Sequence, residues 1–332
     1  MKRAKYSALF IGLALCLFLS IIASLAFGAK TIPFSEVIDG LFNSSITSFN
    51  TTIVQERIPR TVFGLVAGAS LGVSGMLMQS LTRNPVADPS ILGINSGAAL
   101  FVVIGISFFN MQSSSHYIIV AIIGAAISAF FVYAIASMGR GGASPLKLTL
   151  AGATTTTAIS SLINIIVLPR VESLTSFRFW QVGSISGATW TSIIALLPFI
   201  IIGFIIAVFV SPSLNAMAIG DETAISLGVK VTRIRIITAI AGVLLCGSVT
   251  ALAGPITFVG LMVPHVMRLL FGNNIKLLVP LSAIGGAILL LVSDVVGRLL
   301  ANPGEIEVGI LTAFIGAPVF IFIAIKTKVK SL

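Results

Sequence analysis

Apolar residues in this chain fall into ten windows, most of them about as long as a bilayer is thick. Divided at Gly, Pro, Asn and charged positions, the windows are 7–27, 61–80, 89–109, 117–138, 148–168, 191–210, 234–252, 256–270, 277–297 and 308–325. A helix needs about 20 apolar residues to cross the hydrocarbon layer. Within that layer only helices and closed barrels satisfy their own backbone polar groups. The windows therefore predict an all-α integral membrane protein with about ten transmembrane helices. Composition agrees: 57% of the 332 residues are hydrophobic and 9% charged, too little charge to cover a water-soluble domain. The eighth window is short and holds Pro264, so it is the least regular. The first follows Lys2, Arg3 and Lys5, a pattern shared with signal peptides. Its apolar run continues to Phe27, long enough to span, and it reads as a retained first helix.

Charge fixes an orientation. With the N-terminus inside and ten alternating helices, 14 of the 20 basic residues fall inside and 6 outside, against 3 and 7 of the 10 acids. An excess of Lys and Arg on cytoplasmic loops is the expected asymmetry, so both termini are placed in the cytoplasm. The net charge of +10 is spread along the chain, with no basic stripe interleaved with aromatics, which argues against nucleic acid as a partner. Cys16 and Cys246 lie in apolar runs and read as small buried hydrophobes without a disulfide. His116 and His265 are the only histidines, too few for a metal cluster.

Inside the spans the polar residues are few and patterned. Gly64, Gly68 and Gly72 recur every four residues, with Gly75 beyond, and form a face on which another helix can pack closely. Thr157, Ser160, Ser161 and Asn164 share one side of the fifth span. They either bond to neighbouring helices or line a wet pathway. Asp294 and Arg298, one turn apart, are expected to pair. The near absence of other ionisable groups in the spans argues against a proton- or ion-coupled transporter, which uses such groups at mid-membrane. No nucleophile, metal cluster or acid–base pair suggests an enzyme. The dipeptide Gly-Lys never occurs, so there is no phosphate-binding Walker motif. Uphill transport would draw its energy from another subunit.

Two loops carry information. In the outer loop 28–60, Pro33 to Phe42 is amphipathic and is expected to form a short surface helix. At its end Arg57 and Arg60 flank Pro59, which is suited to the start of the second span. In the inner loop 211–233, Asp221 and Glu222 open a short helix. Ala224, Ile225 and Leu227 give that helix an apolar face and Gly228 ends it. A helix of this kind fits a groove on a partner protein.

At this inner segment, Ala218-Ile219-Gly220-Asp221-Glu222 through Leu227-Gly228-Val229, the sequence resembles the FecCD/BtuC-like permeases of type II ABC importers. That family takes up iron–siderophores, haem and cobalamin. Further stretches match in order: Arg57-Ile58-Pro59-Arg60, Gly75 to Gln79 with Asn84 to Pro89, Leu252 to His265, and Asp294 with Arg298 before Gly316 to Phe320. The resemblance covers residues 55–325. It implies a single ten-helix permease domain over 1–332, working with a second permease subunit, two ATP-binding subunits inside and a substrate-binding protein outside. It further implies that Arg57, Arg60 and Arg298 dock carboxylates of the binding protein, and that Gly220, Asp221, Glu222, Ala224, Leu227 and Gly228 couple to the ATPase. Thr157, Ser160, Ser161 and Asn164 are the pathway candidates. On this reading the chain does no covalent chemistry and holds no cofactor or metal. ATP is used by the partner, and iron, as a ferric siderophore-type chelate, is cargo. Haem or cobalamin is the alternative cargo.

Overall fold

The computed structural model describes residues 2–42, 48–109, 111, 114–138, 144–301 and 304–326. The inner-loop Arg140 and the terminal Lys328 and Lys330 lie outside the described residues. The described chain is helical: α1 (Lys2–Ala26), α2 (Phe34–Phe42), α3 (Phe49–Thr82), α4 (Ile94–Phe109), α5 (Ser114–Ser137), α6 (Pro145–Val167), α7 (Val171–Val182), α8 (Trp190–Met217), α9 (Asp221–Ser226), α10 (Val231–Ala253), α11 (Val259–Phe271), α12 (Ile275–Leu300) and α13 (Val308–Lys326). Seven of these contain segments long and apolar enough to cross a membrane, and α4, α11 and Val308–Ile321 of α13 are shorter apolar helices. Together they account for the ten expected spans.

The differences lie at the ends of the spans. The second begins not at Arg57 or Pro59 but at Phe49, so Pro59 sits inside α3. The cause is a capping box. The Ser48 hydroxyl accepts from the Thr51 amide, and the Thr51 hydroxyl accepts from the Ser48 amide, which satisfies two otherwise orphaned donors. The third begins five residues late, at Ile94. There Asp88 caps a 3-10 turn, Pro89–Leu92, and Gly93, at φ 68°, ends it. The eighth begins at Val259 because Gly254 and Phe258 both take positive φ and interrupt the helix. Irregular backbone at such depth needs partners within the protein. It finds some here, with the Ser184 amide donating to the Ala253 carbonyl and the Gly309 amide to Gly183. Helix α7 has no counterpart among the expected elements.

Helix α3 is the centre of the bundle. Its 34 residues span about 50 Å at 1.5 Å per residue. The glycine face packs as expected. A Cβ on Gly68 would run into the Gly286 carbonyl and Ala287 Cα of α12. One on Gly72 would strike the Ser282 carbonyl, and one on Gly75 the Gly260 backbone of α11. Gly286 meets Gly68 reciprocally, so two backbones touch where side chains would normally hold helices 8–10 Å apart. Around this core, α1 exposes Ile11 and Phe18, α5 exposes Phe130 and Phe131, and α8 exposes Ile205 and Phe209. Apolar surface this extensive calls for lipid as its solvent. Cys16 lies on the exposed side of α1, contrary to its reading as a buried residue, whereas Cys246 is buried; neither forms a disulfide.

Candidate functional site: an outer charge cluster, an inner helix and a polar stripe between them

The outer ends of α1, α3 and α12, with the segment that precedes α13, bring five charged side chains together. Arg57 reaches across to α1 and donates to the carbonyls of Leu25 at 2.8 Å, Ala26 at 3.1 Å and Lys30 at 2.7 Å. The first two are among the carbonyls left without a partner inside α1 at its end, although that of Ala26 also accepts from the Ile32 amide, and a cation there is favoured by the helix dipole. Arg60 lies one turn on and grips a single oxygen of Asp294, through Nη2 at 2.7 Å and Nε at 3.1 Å. Its remaining arm, Nη1, holds Glu305 at 2.8 Å.

Asp294 and Arg298 pair as expected, at 2.8 Å, but both side chains are only 2% exposed. Arg298 also donates twice to the Ser24 carbonyl, at 3.1 Å each. One buried carboxylate thus bridges two guanidiniums and joins α12 to α3, and Arg298 carries the network on to α1. Of the arginines picked out in the sequence, Arg298 lies beneath the surface. Arg60 reaches the surface through a side chain 14% exposed, beside Glu305 at 35%. Glu305 was not among the sequence candidates. No local pattern marks it, because its partner lies 245 residues away.

On the inner side α9 forms where the sequence places it. Gly220 precedes it at φ 150°, a conformation that L side chains rarely adopt. Its end is a complete Schellman motif: Gly228, at φ 83°, donates to Ile225, and Val229 to Ala224. The expected apolar face divides in two. Ala224 is fully buried against the bundle, while Ile225 and Leu227 are 61% and 65% exposed. Glu222 is exposed as well. Asp221 turns inward to Arg83 and Arg235.

Between the two faces, Thr157, Ser160, Ser161 and Asn164 are all exposed along α6. The opposite face of that helix buries Ile159 and Ile163. The Thr157 and Ser161 hydroxyls donate to carbonyls one turn back, Ala153 and Thr157, at 3.0 Å each. These are hydrogen bonds within α6, so among the described residues the Thr157 and Ser161 hydroxyls are paired with their own helix. The stripe is polar and faces away from the bundle, flanked by exposed Leu150, Leu162 and Ile165.

The sequence profile of the FecCD transport family matches residues 16–326. The chain belongs to the FecCD transport family. Among its relatives is the ferric enterobactin transport system permease protein FepD of Escherichia coli K12. It is 39% identical over 313 residues, covering 94% of this chain and 93% of that protein. The Fe(3+)-citrate import system permease protein YfmD of Bacillus subtilis 168 is 41% identical over 305 residues, covering 92% and 90%. A solved structure of a transporter assigned to the metal-chelate ABC type, in an inward-facing conformation, superimposes with a TM-score of 0.83. It is 29% identical and covers 97% of this chain and 99% of that one. As a FecCD permease, this chain is an integral membrane transport subunit with the helical architecture of type II importers.

Proposed function

We propose that this chain is one of two permease subunits of an ATP-driven importer that carries a ferric siderophore-type chelate into the cytoplasm. The observation that carries the reading is the polar stripe on α6. Hydroxyls and an amide at mid-helix, on the outward face of a subunit whose helices α1, α5 and α8 turn apolar side chains outward, are poorly placed against lipid. A second permease subunit set against this face would enclose them in a wet pathway. Neutral, small polar groups there suit a bulky chelate and leave energy coupling to other subunits. The relatives named for ferric enterobactin and Fe(3+)-citrate transport support iron chelates as the cargo class.

The exposed Ile225 and Leu227 on α9 form an apolar knob for an ATP-hydrolysing subunit inside. On the outside, Arg60 and Arg57 receive the carboxylates of a substrate-binding protein, which exchange with Glu305 for the outward arm of Arg60. Arginine is suited to this because its fork engages carboxylates with fixed geometry. Arg298 supports that surface from below through Asp294. The permease itself stabilises inward- and outward-facing states differentially.

The test is uptake of radiolabelled ferric siderophores, haem and cobalamin in cells lacking the chain, with it restored, and with Arg60→Lys. The lysine keeps a positive charge beside Asp294 and loses the fork. Uptake of one ferric chelate is expected to vanish on deletion, return on restoration and fall again with lysine. Uptake of haem or cobalamin alone would replace the cargo assignment. Unchanged uptake of every compound, in cells without a second permease of this kind, would refute the reading.

A further inference from the structure

We infer that Arg83 and Asp221 form a clamp that fastens the inner helix α9 to α3, so that α3 is the rod that carries movement between the two membrane faces. The inference rests on the importer reading above and names the positioning residues behind its coupling step. Asp221 does not project toward the cytoplasm. Its Oδ1 accepts from Arg83 Nη2 at 2.5 Å and its Oδ2 from Arg235 Nη2 at 2.7 Å. One carboxylate therefore joins the end of α3, the start of α9 and the second turn of α10. The same Arg83 nitrogen donates to the carbonyl of Met217 at 2.6 Å, which fixes the chain where α8 leads into α9.

Arg83 itself occupies an unusual conformation. At φ 49° and ψ 30° it closes α3 in the left-handed region. It and Phe258 are the non-glycine residues with positive φ among those described. A helix end of this kind favours glycine, because a Cβ is disfavoured there. The chain keeps an arginine at this position, and its guanidinium reaches both Asp221 and Met217. A glycine would suit the backbone better and could reach neither.

Besides the Arg83 clamp, helix α9 is held by Arg235 of α10 and by its short chain links to α8 and α10. It has six residues, too few to persist alone. One buried side chain, Ala224, faces the bundle. The Arg83 and Asp221 side chains are 38% and 36% exposed, and ion pairs that exposed add little to global stability. What the clamp supplies is position. At the opposite end of α3 stand Arg57 and Arg60, and between the two ends backbone contacts seat the helix on α11 and α12. Coupling over such a distance needs a stiff element that both sites bias, and α3 touches both.

The test uses the intact importer, permease with its ATP-hydrolysing subunits in lipid nanodiscs. ATP hydrolysis is measured with and without the substrate-loaded extracytoplasmic binding protein of the same importer. The informative variant is Arg83→Gly, which relieves the backbone while deleting the clamp. It is expected to assemble and to hydrolyse ATP at its basal rate. Stimulation by the binding protein should drop by about fivefold or more, the scale of a typical coupling term. Asp221→Asn should lower the ratio of stimulated to basal rate in the same way, and Arg83→Lys should restore part of it. A stimulated wild type with an equally stimulated Arg83→Gly sinks the inference alone. Loss of assembly in Arg83→Gly makes the clamp structural and also overturns it. A wild type that the binding protein does not stimulate fails the importer reading, and the inference falls with it.

Discussion

Alanine in place of glycine should have opposite effects at two positions in this chain, and the sign follows from what a Cβ would meet. In a helix interior the exchange favours folding by about 0.5–1 kcal/mol, because glycine loses more backbone freedom. At Gly12 on α1 nothing lies within 4 Å of the new atom, so the full gain is expected. At Gly68 the Cβ would collide with the Gly286 carbonyl and with Ala287 Cα. Both are backbone, so no side-chain rotation relieves the clash and α3 must move away from α12. Overpacking of that kind costs about 1–3 kcal/mol, and the reciprocal contact at Gly286 loosens as well. Gly68→Ala should therefore destabilise by about 1–2 kcal/mol net, and Gly286→Ala by a similar amount. Once one Cβ has separated the helices, the second finds space, so the double variant should cost less than the sum. Denaturant titration of the purified permease in mild detergent, read by tryptophan fluorescence, measures all four. A Gly68→Ala protein as stable as Gly12→Ala would refute the claim that backbone contact locks these helices.

The other predictions concern charge and pathway. Asp294→Ala should destabilise the permease by about 3–5 kcal/mol in the same titration, because it strands Arg298 in the interior and removes the principal partner of Arg60. A loss below about 1 kcal/mol would mean that water or Glu305 compensates the arginines. Ser161→Leu should leave stability within about 0.5 kcal/mol, since the residue is exposed and its hydroxyl bonds only to its own helix. Chelate uptake should fall sharply while the amount of protein in the membrane holds. Unchanged uptake would remove Ser161 from the pathway.

What could be read in the sequence is what local pattern encodes. Glycines four apart on an apolar helix have few uses other than close packing, and Gly68, Gly72 and Gly75 do pack that way. The short helix at Asp221 was legible because acids at its start, Ala224 within and Gly228 after it all specify the same element. The Asp294–Arg298 pair followed from one-turn spacing. The destinations of Arg57 and of the outward arm of Arg60 did not. One ends on carbonyls about 30 residues back and the other on Glu305, 245 residues ahead. Only the tertiary fold brings those atoms near. Burial of Arg298 was equally hidden, since an arginine near a span boundary reads as a surface group until the helices around it are placed.

The start of α3 shows why hydropathy fails at a membrane edge. Between Ser48 and Arg60 the chain is polar, so a count of apolar residues ends the span at residue 61. Hydropathy reports which solvent a segment prefers and carries no information on whether its backbone bonds to itself. The capping box of Ser48 and Thr51 does carry it, and extends the helix by three turns beyond the apolar window. Those turns carry Arg57 and Arg60 on the same rigid element that ends at Arg83. Had the helix begun at residue 61, the outer arginines would sit on a loop, able to move without displacing anything inside. Their placement within a continuous helix means that a force applied to them at the outer face also bears on the residues that hold α9.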